Sequence, residues 1–112
     1  DWSMRFIFYL WVMRLSKFQI DAINILARKH FGEDTTVSLF GSRTDDDKKG
    51  GDIDLFIRNS NEKALSAEAK VHFLAELKSK IGDRKIDVVF DNTMTRQKKN
   101  FYRSVIRQKI EL

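Results

Sequence analysis

The sequence predicts an α/β (α+β) domain in which a small mixed β-sheet is covered by helices. Three observations predict it. Short runs rich in β-branched and aromatic residues alternate with longer stretches of helical periodicity. Apolar residues make up 42% of 112 residues, enough for one modest core and not two. No proline, repeat or low-complexity stretch marks a linker between two domains.

The elements follow in order. Residues 1–12, including Met4 to Val12, are almost wholly apolar. They are shorter than the ~20 residues of a membrane span, and they lack the basic start and cleavage site of a signal peptide. They are expected to be an N-terminal extension or a short appended strand outside the catalytic unit, with residues 13–112 as a single domain. Ser16 and Gln19 have the spacing of a capping box. Ile20, Ile23, Leu26 and Ala27 recur at helical spacing, and Gly32 is the expected stop, so a helix is predicted over about 17–31. Thr36 to Phe40 reads as a strand, Gly41 to Gly51 as a polar loop, and Ile53 to Ile57 as a second strand. Asn59-Ser60-Asn61 is expected to cap a long helix that turns Leu65, Val71, Leu74, Leu77 and Ile81 to the core and closes at Gly82. Lys85 to Phe90 reads as a third strand. Phe101, Val105, Ile106 and Ile110 predict a final amphipathic helix.

Charge and side-chain chemistry narrow the function classes. With no cysteine, disulfides and cysteine-based zinc sites are excluded. This fits a reducing compartment, and a cytoplasmic location is expected. His30 and His72 are too far apart in sequence to read as a histidine metal site. The net charge of +5 is uneven: residues 13–93 carry fourteen basic and fourteen acidic side chains. The excess lies in Arg96, Lys98, Lys99, Arg103, Arg107 and Lys109, which reads as a solvated helix face or as a surface for an anionic partner.

The chemistry-bearing residues sit on the strands. Alternation places Asp52 and Asp54 on one face of the second strand and Ile53, Leu55 and Ile57 on the other. Two carboxylates side by side repel each other, and a divalent ion between them removes the repulsion. Oxygen donors without histidine or cysteine suit a hard ion such as magnesium. In the third strand Asp87 stands among Ile86, Val88 and Phe90. If the two strands are neighbours, it joins the same face as a third carboxylate. Gly41-Ser42 ends the first strand on the approach to that site: glycine admits close approach of a phosphate, and Ser42 and Arg43 add donors. These parts fit phosphoryl or nucleotidyl transfer.

Leu39-Phe40-Gly41-Ser42-Arg43, then Asp52-Ile53-Asp54-Leu55, then Ile86-Asp87-Val88-Val89 resembles the minimal nucleotidyltransferases of the DNA polymerase beta-like superfamily over about residues 16–92. The resemblance implies that family's palm fold. It also implies one or two Mg2+ ions held by Asp52, Asp54 and Asp87 as catalytic carboxylates. ATP is the implied donor, with Gly41, Ser42 and Arg43 at its phosphates. Many members are antitoxins of HEPN-domain RNase toxins, some of which they silence by transferring AMP to a tyrosine, so a HEPN toxin is the implied partner. The loop departs from the family pattern: Thr44 to Lys49 stand where relatives commonly carry a small residue, a second arginine and a glycine. Two other readings remain at this stage. One is neutralisation of the partner by binding alone. The other, ranked third, is a nucleotidyltransferase acting on an RNA end held by the basic C-terminal helix. There Phe101 and Tyr102 would be the only aromatics for stacking, and Phe101 is expected to face the core. Ile106, Ile110 and Leu112 read either as a homodimer or partner contact or as residues buried within the monomer.

Overall fold

The computed structural model describes residues 15–41 and 53–112. The expectations for residues 1–12 and for Ser42, Arg43 and Asp52 lie outside these residues. The first helix, α1, spans Lys17–Phe31 and begins as its sequence dictates. The Ser16 hydroxyl accepts from the Gln19 amide at 3.1 Å, and the Gln19 side chain accepts from the Ser16 amide at 2.9 Å. Two otherwise orphaned N–H groups are thereby satisfied. Ala22, Ile23, Leu26, Ala27 and Phe31 form its buried face.

Four strands follow: β1 Thr36–Leu39, β2 Ile53–Arg58, β3 Ile86–Phe90 and β4 Ile110–Glu111. Their order in the sheet is β3-β2-β1-β4. β1 is antiparallel to β2 and to β4, whereas β2 and β3 run parallel. Parallel neighbours need a crossover, and α2, Ala67–Ile81, provides it. Ile53, Leu55, Ile57, Ile86, Val88, Val37 and Leu39 face α1 and α2, where Phe31, Phe73 and Leu77 complete the main core. A smaller cluster of Phe40, Phe56 and Val105 covers part of the opposite face.

Two expectations need correction here. Asn59-Ser60-Asn61 does not cap the long helix. The Asn61 side chain caps a single 3-10 turn, Glu62–Ala64, and Ser66 caps α2 by accepting from the Ala69 amide at 3.1 Å. Asn59 is committed elsewhere: its buried amide donates to the Phe31 carbonyl at 3.1 Å and to Thr35 Oγ1 at 3.0 Å. This ties the end of β2 to the α1–β1 turn before the chain can enter a helix. Val71, expected in the core, is 64% exposed, and Phe73 is buried in its place. Two residues are about 200° around a helix, so a stripe centred on Phe73 and Leu77 leaves Val71 outside.

The C-terminal segment also differs from one amphipathic helix. It forms α3, Thr93–Gln97, capped by Asn92, and then α4, Lys99–Gln108. Ile110 has left the helix and pairs with Leu39 in β4, and the Leu112 amide donates to the Val37 carbonyl at 2.8 Å. Ile110 and Leu112 therefore pack within this chain, while Ile106 stays exposed. No helix among the described residues is long and apolar enough to cross a membrane.

Candidate active site

The β2–β3 pairing meets the condition on which a carboxylate cluster depended. Asp54 and Asp87 are Cα partners in the parallel ladder, so both project from the same sheet face, one strand spacing of about 4.8 Å apart. Ile53 and Leu55 on either side of Asp54, and Ile86 and Val88 on either side of Asp87, anchor the strands in the main core. Alternation then turns each aspartate to the opposite face. Asp54 is only 6% exposed, whereas Asp87 is open to solvent. One carboxylate is thus held within the fold and its neighbour faces outward.

Gly41 closes the third side. The Phe40 amide donates to the Asp54 carbonyl at 3.1 Å, so β1 delivers Gly41 directly beside Asp54. Gly41 has φ +70°, and a Cβ at this position would lie 2.9 Å from Asp54 Oδ2. Any side chain here would meet the carboxylate. The bare backbone leaves that space for a ligand atom or an ion. Of the six residues read from the sequence as the site, the structure therefore brings together Gly41, Asp54 and Asp87. Ser42, Arg43 and Asp52 are not described. Among the described residues no group of three or more acidic, histidine or cysteine side chains is placed to hold a metal. The described pair is two members of the expected triad. As adjacent hard oxygen donors, with a glycine leaving room beside them, they fit a magnesium ion.

Helix α4 borders this region, and here the expectation for Phe101 needs correction. Phe101 does not face the core: it is 40% exposed, with its ring 6.2 Å from that of Phe40 and nearly perpendicular to it. Tyr102 turns inward instead. Its ring lies 6.2 Å from Phe56, and its hydroxyl donates to Asp91 Oδ1 at 3.0 Å. Burial, and then the Asp91 carboxylate, raise the Tyr102 pKa above the usual phenol value.

A polar cleft of about 340 Å³ lies at the opposite end of β2, lined by Arg58, Asp91, Arg96, Tyr102 and Lys109 among others. Arg58 is four residues beyond Asp54, roughly 13 Å along the strand, so the cleft is separate from the carboxylate pair. Arg96 donates to Asp91 at 2.8 Å and also to Glu62, which in turn accepts from the Thr93 amide at 2.9 Å. The hydrogen bond from Arg96 is the main reason the Glu62 pKa is lowered, and the one to Glu62 the main reason that of Arg96 is raised. This clamp joins the 3-10 turn, the end of β3 and α3. It also removes Arg96 from the free positive charge that the basic tail was expected to present. Lys98, Lys99, Arg103 and Arg107 remain exposed.

Comparison with known families agrees with this arrangement. The family model described as polymerase beta, nucleotidyltransferase matches residues 21–112, which include every described strand and both aspartates of the described pair. A comparison with curated proteins returned no match. The mixed sheet, the paired aspartates beside a glycine and the extent of the match lead to one conclusion: the chain belongs to the polymerase beta nucleotidyltransferase family.

Proposed function

We propose that this nucleotidyltransferase transfers AMP from ATP, with Mg2+, to a tyrosine hydroxyl of a partner HEPN-domain toxin, and so acts as an antitoxin in the cytoplasm. The observation that carries the catalytic part is the register of Asp54 against Asp87 on one sheet face beside Gly41. The nature of the acceptor is supported by the likeness of the motifs to those of small antitoxins of this superfamily. In this reading Asp54 and Asp87, joined by Asp52, hold the ion. When bound, it supplies charge neutralisation on the triphosphate and lowers the pKa of the attacking hydroxyl. Gly41 admits the donor phosphates, and Ser42 and Arg43 supply donors to their oxygens. The acceptor oxygen forms a bond to the α-phosphorus, and the bond to the bridging oxygen breaks to release pyrophosphate. In this reading Asp87, the exposed carboxylate, takes the hydroxyl proton.

The test is label transfer from α-labelled ATP to a HEPN-domain protein encoded beside this one, with magnesium. Asp54→Asn and Asp87→Asn are each expected to reduce transfer at least 100-fold. If an Asp52→Asn, Asp54→Asn double variant still silences the toxin as well as the parent does, neutralisation is by binding alone and the transfer reading is wrong.

A further inference from the structure

We propose that Phe101 is the surface on which the base of the donor nucleotide stacks; the inference rests on the nucleotide-donor reading above. Four observations place it there. Phe40 and Asp54 are cross-strand neighbours, joined by the 3.1 Å bond from the Phe40 amide, and Phe40 projects from the same sheet face as Phe56 and Asp54. The Phe40 ring is buried and held edge-on by Phe56 at 6.3 Å on one side and by Phe101 at 6.2 Å on another. Phe101 thus continues an aromatic row that starts in the small core, passes through Phe40, the residue before the glycine that marks the phosphate approach, and ends in solvent. Its ring is 40% exposed on a helix whose open positions also include the cationic Lys99, Arg103 and Arg107, together with Asn100 and Ile106.

An open phenyl ring costs exposed apolar area that a lysine or glutamate would not. Its buried edge contacts already hold it in place, so little side-chain freedom remains to be lost when a planar ligand lies on it. A phenyl ring offers no hydrogen-bond partner to read base edges. The platform therefore accepts any purine, and adenine and guanine nucleotides are expected to bind within a few-fold of each other.

The experiment is calorimetric titration of the full chain with magnesium and either a non-hydrolysable ATP analogue or inorganic tripolyphosphate. Phe101→Ala and Phe101→Leu should each lose about tenfold in affinity for the analogue, the lower range of a base–aromatic stack. Affinity for tripolyphosphate should be unchanged. Phe101→Trp should keep analogue affinity, and its added indole fluorescence should respond to the analogue and not to tripolyphosphate. Thermal melts of each variant report folding, and Phe101→Leu keeps the test available if Phe101→Ala is unstable. Unchanged analogue affinity in both Phe101→Ala and Phe101→Leu overturns the proposal. So does an equal loss for both ligands, which would make Phe101 a support of the fold. If the parent binds neither ligand, the nucleotide reading itself fails and the platform with it, an outcome distinct from either of the others.

Discussion

Replacing Gly41 by alanine separates backbone strain from damage to the candidate site. Two effects act at this position. The left-handed φ of +70° disfavours any Cβ, at about 1–2 kcal/mol. The added methyl would also lie 2.9 Å from Asp54 Oδ2, well inside van der Waals contact. Asp54 is almost fully buried, with β2 held between β1 and β3, so the strand cannot retreat. The carboxylate must rotate or the glycine peptide must shift, by the order of half an ångström to one ångström. A misplacement of about 1 Å near reacting groups costs roughly 100-fold in rate. Gly82→Ala is the matched control. Its φ of +102° and ψ of 170° lie in a region open essentially to glycine alone, costing about 1–3 kcal/mol, yet its Cβ would meet nothing within 4 Å. Both variants should lower the melting temperature by about 4 °C or more. Only Gly41→Ala should lose nucleotide transfer and magnesium-dependent analogue binding. Urea titrations and calorimetry on the two variants decide the matter. Gly41→Ala with parental transfer and affinity would show that the glycine is not part of the site.

Further outcomes follow from the packing. Phe73→Ala should lose about 3–5 kcal/mol in urea denaturation, because the ring is fully buried against Phe31 at 5.3 Å. Val71→Ala, two residues earlier and exposed, should stay within about 0.5 kcal/mol; equal losses would refute the helix register. Asn59→Ala should cost about 1–3 kcal/mol, since it strands the buried Thr35 hydroxyl and the Phe31 carbonyl, and Asn59→Asp should not restore them, having no amide donor. Hydrogen bonds from Lys29, then His30, hold the Glu76 carboxyl below its ordinary value of 4.5. A depressed carboxylate pKa stabilises the fold above the unfolded-state value, and that contribution is lost as pH falls through the folded one. Melting temperatures of the parent and Glu76→Gln should therefore differ most above pH 4.5 and draw together as pH falls below it. A constant difference down to pH 3 would remove the carboxylate from the explanation.

Much of the architecture was legible because it depends on contacts a few residues apart. Ser16 and Gln19 announce the start of α1 through a three-residue reciprocal bond. Alternation along each strand announces that Asp54 and Asp87 turn away from the core. Those local rules gave the boundaries of α1 and of β1, β2 and β3 to within a residue, and missed β4. They failed where a residue's partner is remote. Asn59 looks like a helix cap until Phe31 and Thr35 claim it from 28 and 24 positions away. Arg96 looks like a free charge until Glu62 and Asp91 neutralise it. Phe101 and Tyr102 are adjacent aromatics, and which one turns inward is settled by Phe56 and Asp91, far along the chain.

The sequence by itself singled out the candidate site residues: Asp54 and Asp87, each flanked by apolar strand residues, and Gly41 at the end of a strand. Tertiary structure alone decided that they meet. Parallel pairing of β2 with β3 joins residues more than thirty positions apart through the α2 crossover, and its register sets Asp54 opposite Asp87. A one-residue slip would have turned the aspartates to opposite faces. No local pattern specifies that register; burial of Ile53, Leu55, Ile86 and Val88 under the two helices does.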